Sequence, residues 1–279
     1  MENFKQHTYY NTYYYSNIVR NILSRDIELI GFISNFFANE GAIYPLVKPF
    51  EKYSAFHKFI EYMVLEFFDE EMCEHDQRVF NYWKMNKHLD PLYADSAFKN
   101  YDIDSSFKDF MDGKKLKDYS DIEKYHDELR VSGELEMLYE KISHEVFYIM
   151  FNDREALLAF NAIVSEYVSE ITVEEIDEED DQVNALFSKN GILKRVNIPE
   201  WCKTAVFHRD RGRCCSCGCD LTSLYNIETK RHFDHIIPLA DGGLNDVSNI
   251  QLLCSTCNQK KSNREIYTSN HYQFWYSQD

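Results

Sequence analysis

Two Cys-x-x-Cys pairs constrain this chain more than any other feature. Cys214 and Cys217 sit in "RCCSCG", Cys254 and Cys257 in "LLCSTCN", and Cys254 follows Cys217 by 37 residues. Two residues between thiolates let a tight turn aim both sulfurs at one tetrahedral ion. Gly218 after the second cysteine suits the left-handed backbone that such a turn needs, which favours this pairing over those from Cys215 or Cys219. Cys73, Cys202, Cys215 and Cys219 receive no ligand role. The start of the chain, "MENFKQHTYYNTYYY", lacks the basic opening and apolar run of a signal peptide. A cytoplasmic, reducing location is therefore expected, and clustered cysteines there favour metal over disulfides. A structural Zn²⁺ on the four thiolates is the expectation, since a small domain often needs such a staple.

Charge divides the chain. The net charge over 279 residues is −17, which argues against a general affinity for nucleic acid or anionic membrane. Residues 192–267, however, hold eleven Lys/Arg against eight Asp/Glu, so the remainder carries −20. The length favours two domains. The boundaries expected are 1–182, an acidic, aromatic-rich helical domain, and 191–279, a small basic one. The first ends in an acidic linker at about 174–182, where "EEIDEEDD" packs seven acids into eight positions. Apolar residues recur at helical spacing in "NIVRNILSRDIELIGFISNFF", "SAFHKFIEYMVLEFFDEEM", "GELEMLYEKISHEVFYIMF" and "DREALLAFNAIVSEYVSEI". Asp153 is placed to cap the last of these. His57, His75, His88, His126 and His144 lack ligand spacing and read as structural. No run of about 18 apolar residues occurs, so no membrane span is expected.

Between the cysteine pairs, "KRHFDHIIPL" reads as a strand, "ADGGLNDVSN" as turn material and "IQLLC" as a return strand. A polar helix follows from "CNQKKSNREIY". Asp234-His235 ends the first strand, Asn249 precedes the second, and Asn258 follows the second cysteine pair. Upstream, "RVNIPEWCKTAVFHRDRGRC" reads as a helix, with Pro199 suited to its first turn. Together these residues resemble the HNH endonuclease family, the ββα-metal nucleases, in a zinc-stapled form over about 192–267. The resemblance implies His235 as general base, Asp234 and Asn258 as holders of Mg²⁺ or Mn²⁺, and Asn249 as a brace for the loop after the histidine.

Chemistry agrees with those roles. Histidine titrates near neutral pH and so suits a general base. A hard divalent cation wants oxygen ligands, which a carboxylate and an amide carbonyl supply. Asn258 stands where the family name has a histidine, which favours Mg²⁺ or Mn²⁺ over softer metals. Adjacent strand residues point to opposite faces, so Asp234 and His235 share a site only if the strand bends at its end. Arg209, Arg211, Arg213, Lys260, Lys261 and Arg264 are the expected phosphate contacts, which give affinity without sequence preference.

The expected fold class is a mostly α N-terminal domain plus a small α+β, zinc-stapled ββα-metal domain. The expected activity is metal-dependent DNA endonuclease, and the resemblance implies defence against foreign DNA as its setting. The N-terminal domain would regulate, target or oligomerise, with a partner such as an ATPase as trigger. Two alternatives remain: a non-catalytic zinc-containing interaction module, and an RNA-directed nuclease.

Overall fold

A computed structural model describes residues 10–24, 33, 35–37, 44–170, 181–188, 192–224, 230–261 and 266–269. Its contacts divide the chain into two compact units, Met1–Val19 with Phe59–Phe147, and Arg20–Lys58 with Tyr148–Asp279. The boundary at 182–191 rested on composition. By contacts, the zinc-framed region is grouped with Arg20–Lys58 and with the helix Arg154–Glu170. The acidic run lies outside the described residues except at its last position, where the short helical turn Asp181–Asn184 begins.

The first unit is helical. It contains most of Ala55–Asn86, then Tyr93–Asn100, Phe107–Met111, Ser120–Ser132 and most of Glu134–Met150. Apolar spacing selects the buried faces: Ala94, Ala97 and Phe98 are the buried residues of Tyr93–Asn100. Ser106 caps Phe107–Met111 by accepting from Asp109 N, and Asp112 ends that helix in the left-handed region at φ 44°. The abundant acids and phenols of this unit meet inside it. Glu71 accepts from Tyr14 and, at 2.5 Å, from Tyr93 Oη. Glu145 accepts from Thr12 at 2.6 Å and Tyr101 at 3.0 Å. Asp69 accepts from Tyr139 and Asp95 from Tyr125. The fully buried Asp76 pairs with His126 Nε2 at 2.9 Å and accepts from Tyr93 N at 2.8 Å. A buried carboxylate is tolerable only when so partnered.

The second unit combines helices with a small sheet. Asp153 Oδ1 accepts from Ala156 N at 3.1 Å, capping Arg154–Glu170 as the sequence indicates. Phe160 of that helix packs on Phe56, with centroids 4.8 Å apart. The helix Glu200–Arg209 follows Pro199, whose extended backbone leads into the first turn. Strand β1 (Arg231–His235) then pairs antiparallel with β2 (Ile250–Cys254), in the register Asp234↔Gln251 and His235↔Ile250. The helix Ser255–Lys261 follows directly.

The loop between the strands is fixed by glycine. Gly242 has φ 81°, and a Cβ there would meet the carbonyl of Ser165 on the neighbouring helix. A Cβ on Gly243 would strike Ile237 O and Asn249 Nδ2. Asp246 Oδ1 accepts from Ser248 N and its Oδ2 from Ala55 N at 3.0 Å, so this loop also caps the start of Ala55–Asn86. The architecture is mostly helical with a two-stranded sheet and following helix, which is the expected fold class. Among the described residues no helix is long and apolar enough to cross a membrane.

Candidate functional site

The four frame cysteines converge. Their Sγ atoms all lie within 4.8 Å of one another, and Cys217 and Cys254 are 3.8 Å apart. Four sulfurs about 2.3 Å from one zinc stand about 3.8 Å apart, so the set fits a tetrahedral ion. The first knuckle is closed by Gly218 N donating to Cys214 O at 2.8 Å, with Gly218 at φ 70°. In the second, Cys257 N donates to Cys254 Sγ at 3.4 Å. Cys219 stands outside the four-sulfur set. Cys215 turns inward, where its N–H donates to Leu252 O at 2.9 Å.

Asp234 and His235 line one cavity despite being strand neighbours, with Arg195, Pro238, Leu239, Ala240 and Lys261. His235 is the last residue of β1 and is 4% exposed. Burial, the largest influence, drives its pKa down to about 4, outweighing Asp234 and Asn245, which favour the charged ring. The ring is therefore neutral at neutral pH. Its Nε2 lies 3.3 Å from Asn245 Oδ1. Asn245 Nδ2 donates to Lys194 O at 2.9 Å, which turns the amide oxygen toward the ring. Nε2 is then the protonated nitrogen and Nδ1 carries the lone pair that a base needs.

Lys261 closes the other side. It is buried, its Nζ donating to His235 O at 2.8 Å and lying 2.9 Å from Asp234 Oδ2. The second contact is an ion pair without a directed hydrogen bond, so Oδ2 remains a buried acceptor with none among the described residues. A buried carboxylate oxygen left in that state suits a cation. Asn258 is half-buried three residues before Lys261 on the same helix and is not among the cavity-lining residues.

Asn249 is fully buried and ties the loop after the histidine. Its Oδ1 accepts from Ile237 N at 2.8 Å, while Nδ2 donates to Ile237 O and Leu244 O, both at 3.0 Å. Its own carbonyl accepts from Ile236 N at 2.6 Å.

Among the basic residues expected to contact phosphate, Arg209 and Lys261 are buried, Lys261 in its contacts with Asp234 and His235 O. Arg211 and Lys260 are exposed, and Arg213 is half-buried, donating to Gly218 O at 3.1 Å. Arg264 lies outside the described residues. Arg209, expected at the surface, is 3% exposed. The last turn of its helix aims it inward, where it makes two bonds to Asp210, at 2.8 and 3.0 Å, and one to Ile250 O at 2.6 Å. Asp210 also faces Arg154 Nη1 at 3.2 Å and accepts from Leu252 N at 2.9 Å. Burial alone would raise the Asp210 pKa, but Arg209 and then Arg154 outweigh it and hold the carboxyl below its ordinary range.

Sequence reasoning missed Asn245, Arg195, Asp210 and Arg154. The first lay in a loop read as turn material. The second lay in a quoted stretch whose helix, not its leading cation, drew attention.

Residues 214–264 match the family model for the HNH endonuclease, and this stretch is an HNH endonuclease domain framed by a possible four-cysteine zinc site. No curated protein and no solved structure matches the chain.

Proposed function

We propose that this protein is a metal-dependent DNA endonuclease, with His235 as general base and a divalent cation, Mg²⁺ or Mn²⁺, held by Asp234 and Asn258. One observation carries the reading. A buried, neutral histidine with its Nδ1 lone pair available lines the same cavity as a carboxylate oxygen that accepts no directed hydrogen bond. His235 takes the proton of the attacking water, and Asn245 keeps Nε2 protonated so that Nδ1 does this. Asn249 holds the loop on which His235 ends, so the ring does not drift. A bound cation supplies charge neutralisation on the phosphate and help for the leaving oxygen. The zinc frame holds the start of the domain against its end and takes no part in the chemistry. Arg211, Arg213, Lys260 and Arg264 add phosphate contacts around the site.

The wider role we propose is defence against foreign DNA in the cytoplasm, with cutting by the protein alone slowed but not abolished until a partner or trigger engages the helical region. The support is the −20 charge outside residues 192–267, which opposes casual DNA binding. Homo-oligomerisation through the helices, or docking of an ATPase, are the forms such a trigger takes in this reading.

The test uses full-length protein with plasmid DNA, linear DNA and RNA, in Mg²⁺, Mn²⁺ and EDTA. Cutting of DNA in metal, reduced at least about 10²-fold in His235→Ala, is expected. Cutting that survives the substitution unchanged would sink the assignment, and cutting of RNA alone would transfer it to RNA. A second reading, a zinc module that binds without cutting, is favoured by one observation: the Lys261 ammonium already sits against Asp234. Absence of cutting with retained DNA binding in all metals would select it.

A further inference from the structure

One residue of the cavity beside His235 has no task in the motif and lies before the stretch that matches the family. Arg195 is exposed and lines the same cavity as Asp234, His235 and Lys261. The two cations there differ. Lys261 is buried and engaged by Asp234 and His235 O. Arg195 makes no hydrogen bond or ion pair among the described residues.

Its backbone is nonetheless fixed. Lys194 N donates to Leu186 O at 2.8 Å, and Lys194 O accepts from Asn245 Nδ2 at 2.9 Å. The other end of that amide faces His235 Nε2 at 3.3 Å. A single side chain therefore spans the ring of His235 and the peptide leading into Arg195. An arginine held this way, with its guanidinium unengaged, presents paired N–H donors in the fork that matches phosphate oxygens.

We infer that Arg195 is a catalytic residue of this site. It grips the non-bridging oxygens of the scissile phosphate and neutralises the charge that builds as water attacks. The inference rests on the nuclease reading above and adds a residue outside the matched domain.

The full-length protein and a duplex DNA in Mg²⁺ or Mn²⁺ test it. Arg195→Ala is expected to cut about 10²- to 10³-fold more slowly, as when one preorganised donor is removed. Arg195→Lys recovers part of the rate, because it restores charge without the fork. Lys203→Ala removes a comparable cation from the helix Glu200–Arg209 and keeps the wild-type rate. In a His235→Ala background, anisotropy of a labelled duplex reads binding without cutting. There Arg195→Ala lowers the slope of log affinity against log salt by about one. Equal cutting by wild type and Arg195→Ala, with an unchanged slope, overturns the inference. A wild-type protein that cuts in no metal overturns the nuclease reading instead. The salt slope then decides the Arg195 contact by itself, and an unchanged slope rejects it.

Discussion

The ammonium of Lys261 lies 2.9 Å from Asp234 Oδ2 and 2.8 Å from the carbonyl of His235. A lysine from the helix after β2 thus clamps the end of β1 and places a positive charge where a divalent cation is proposed to bind. Lys261→Gln should keep the bond to His235 O and remove the charge. Charges about 4 Å apart in a protein environment interact by about 4 kcal/mol. Mn²⁺ should therefore bind at least several-fold more tightly, as read by electron paramagnetic resonance. Weaker binding would show that Lys261 orients Asp234 for the metal more than it opposes the metal.

The Arg154–Asp210–Arg209 cluster is buried, and breaking a buried ion pair leaves an uncompensated charge. Arg154→Ala should lower stability by about 3–5 kcal/mol in urea unfolding. Its pH dependence has a definite sign. The Asp210 pKa falls below its ordinary 3.8 on folding. The stability it contributes is fully present above the unfolded value and disappears as pH falls through the folded one. The gap between wild type and Asp210→Asn should therefore persist at about pH 5 and narrow only below the ordinary carboxylate range. A gap that closed already near pH 6 would contradict the depressed pKa.

Asn249→Ala removes three hydrogen bonds at a fully buried position and orphans the N–H and C=O of Ile237 and the C=O of Leu244. Each orphaned group costs about 1–3 kcal/mol. Calorimetry should show a large loss of thermal stability, accompanied by lost cutting. Gly243→Ala, which places a methyl against Ile237 O and Asn249 Nδ2, should produce the same phenotype. If Gly243→Ala proved neutral, the close approach described for this loop would be wrong.

One zinc per chain is expected by elemental analysis, with Cys257→Ser reducing it. Because binding to such a site is coupled to folding, a strong chelator should unfold the β1–β2 region, seen as loss of amide protection there. Retention of zinc after Cys257→Ser would point to Cys219 as a replacement ligand.

The parts of this arrangement that were legible in the sequence are those decided locally. Cys-x-x-Cys spacing, a glycine after the second thiol and a Gly-rich loop between two short strands each state their own geometry. The helix after Asp153 carries its cap in the adjacent residue. Arg209 was misread because "RDRGRC" looks like a solvated basic stretch. Whether such an arginine faces water or Asp210 depends on what covers it, and that is Ile250 and Phe151, remote in sequence. Asn245 and Arg195 were missed for the same reason. Their bearing on His235 exists only after residues 194 and 245 meet. The partners of the acids in the first unit are likewise non-local, since Glu71, Glu145 and Asp76 are satisfied by side chains distant in sequence.

The bond from Ala55 N to Asp246 Oδ2 joins residues 191 positions apart. On a ribosome the first partner waits through most of translation for the second. The loop that holds the ring of His235 cannot set until the chain has been made past Asp246. A chain stopped before Asn245 and Asp246 thus lacks the loop that faces the ring of His235. Synthesis order itself therefore keeps the proposed site unassembled until the chain extends beyond Asp246.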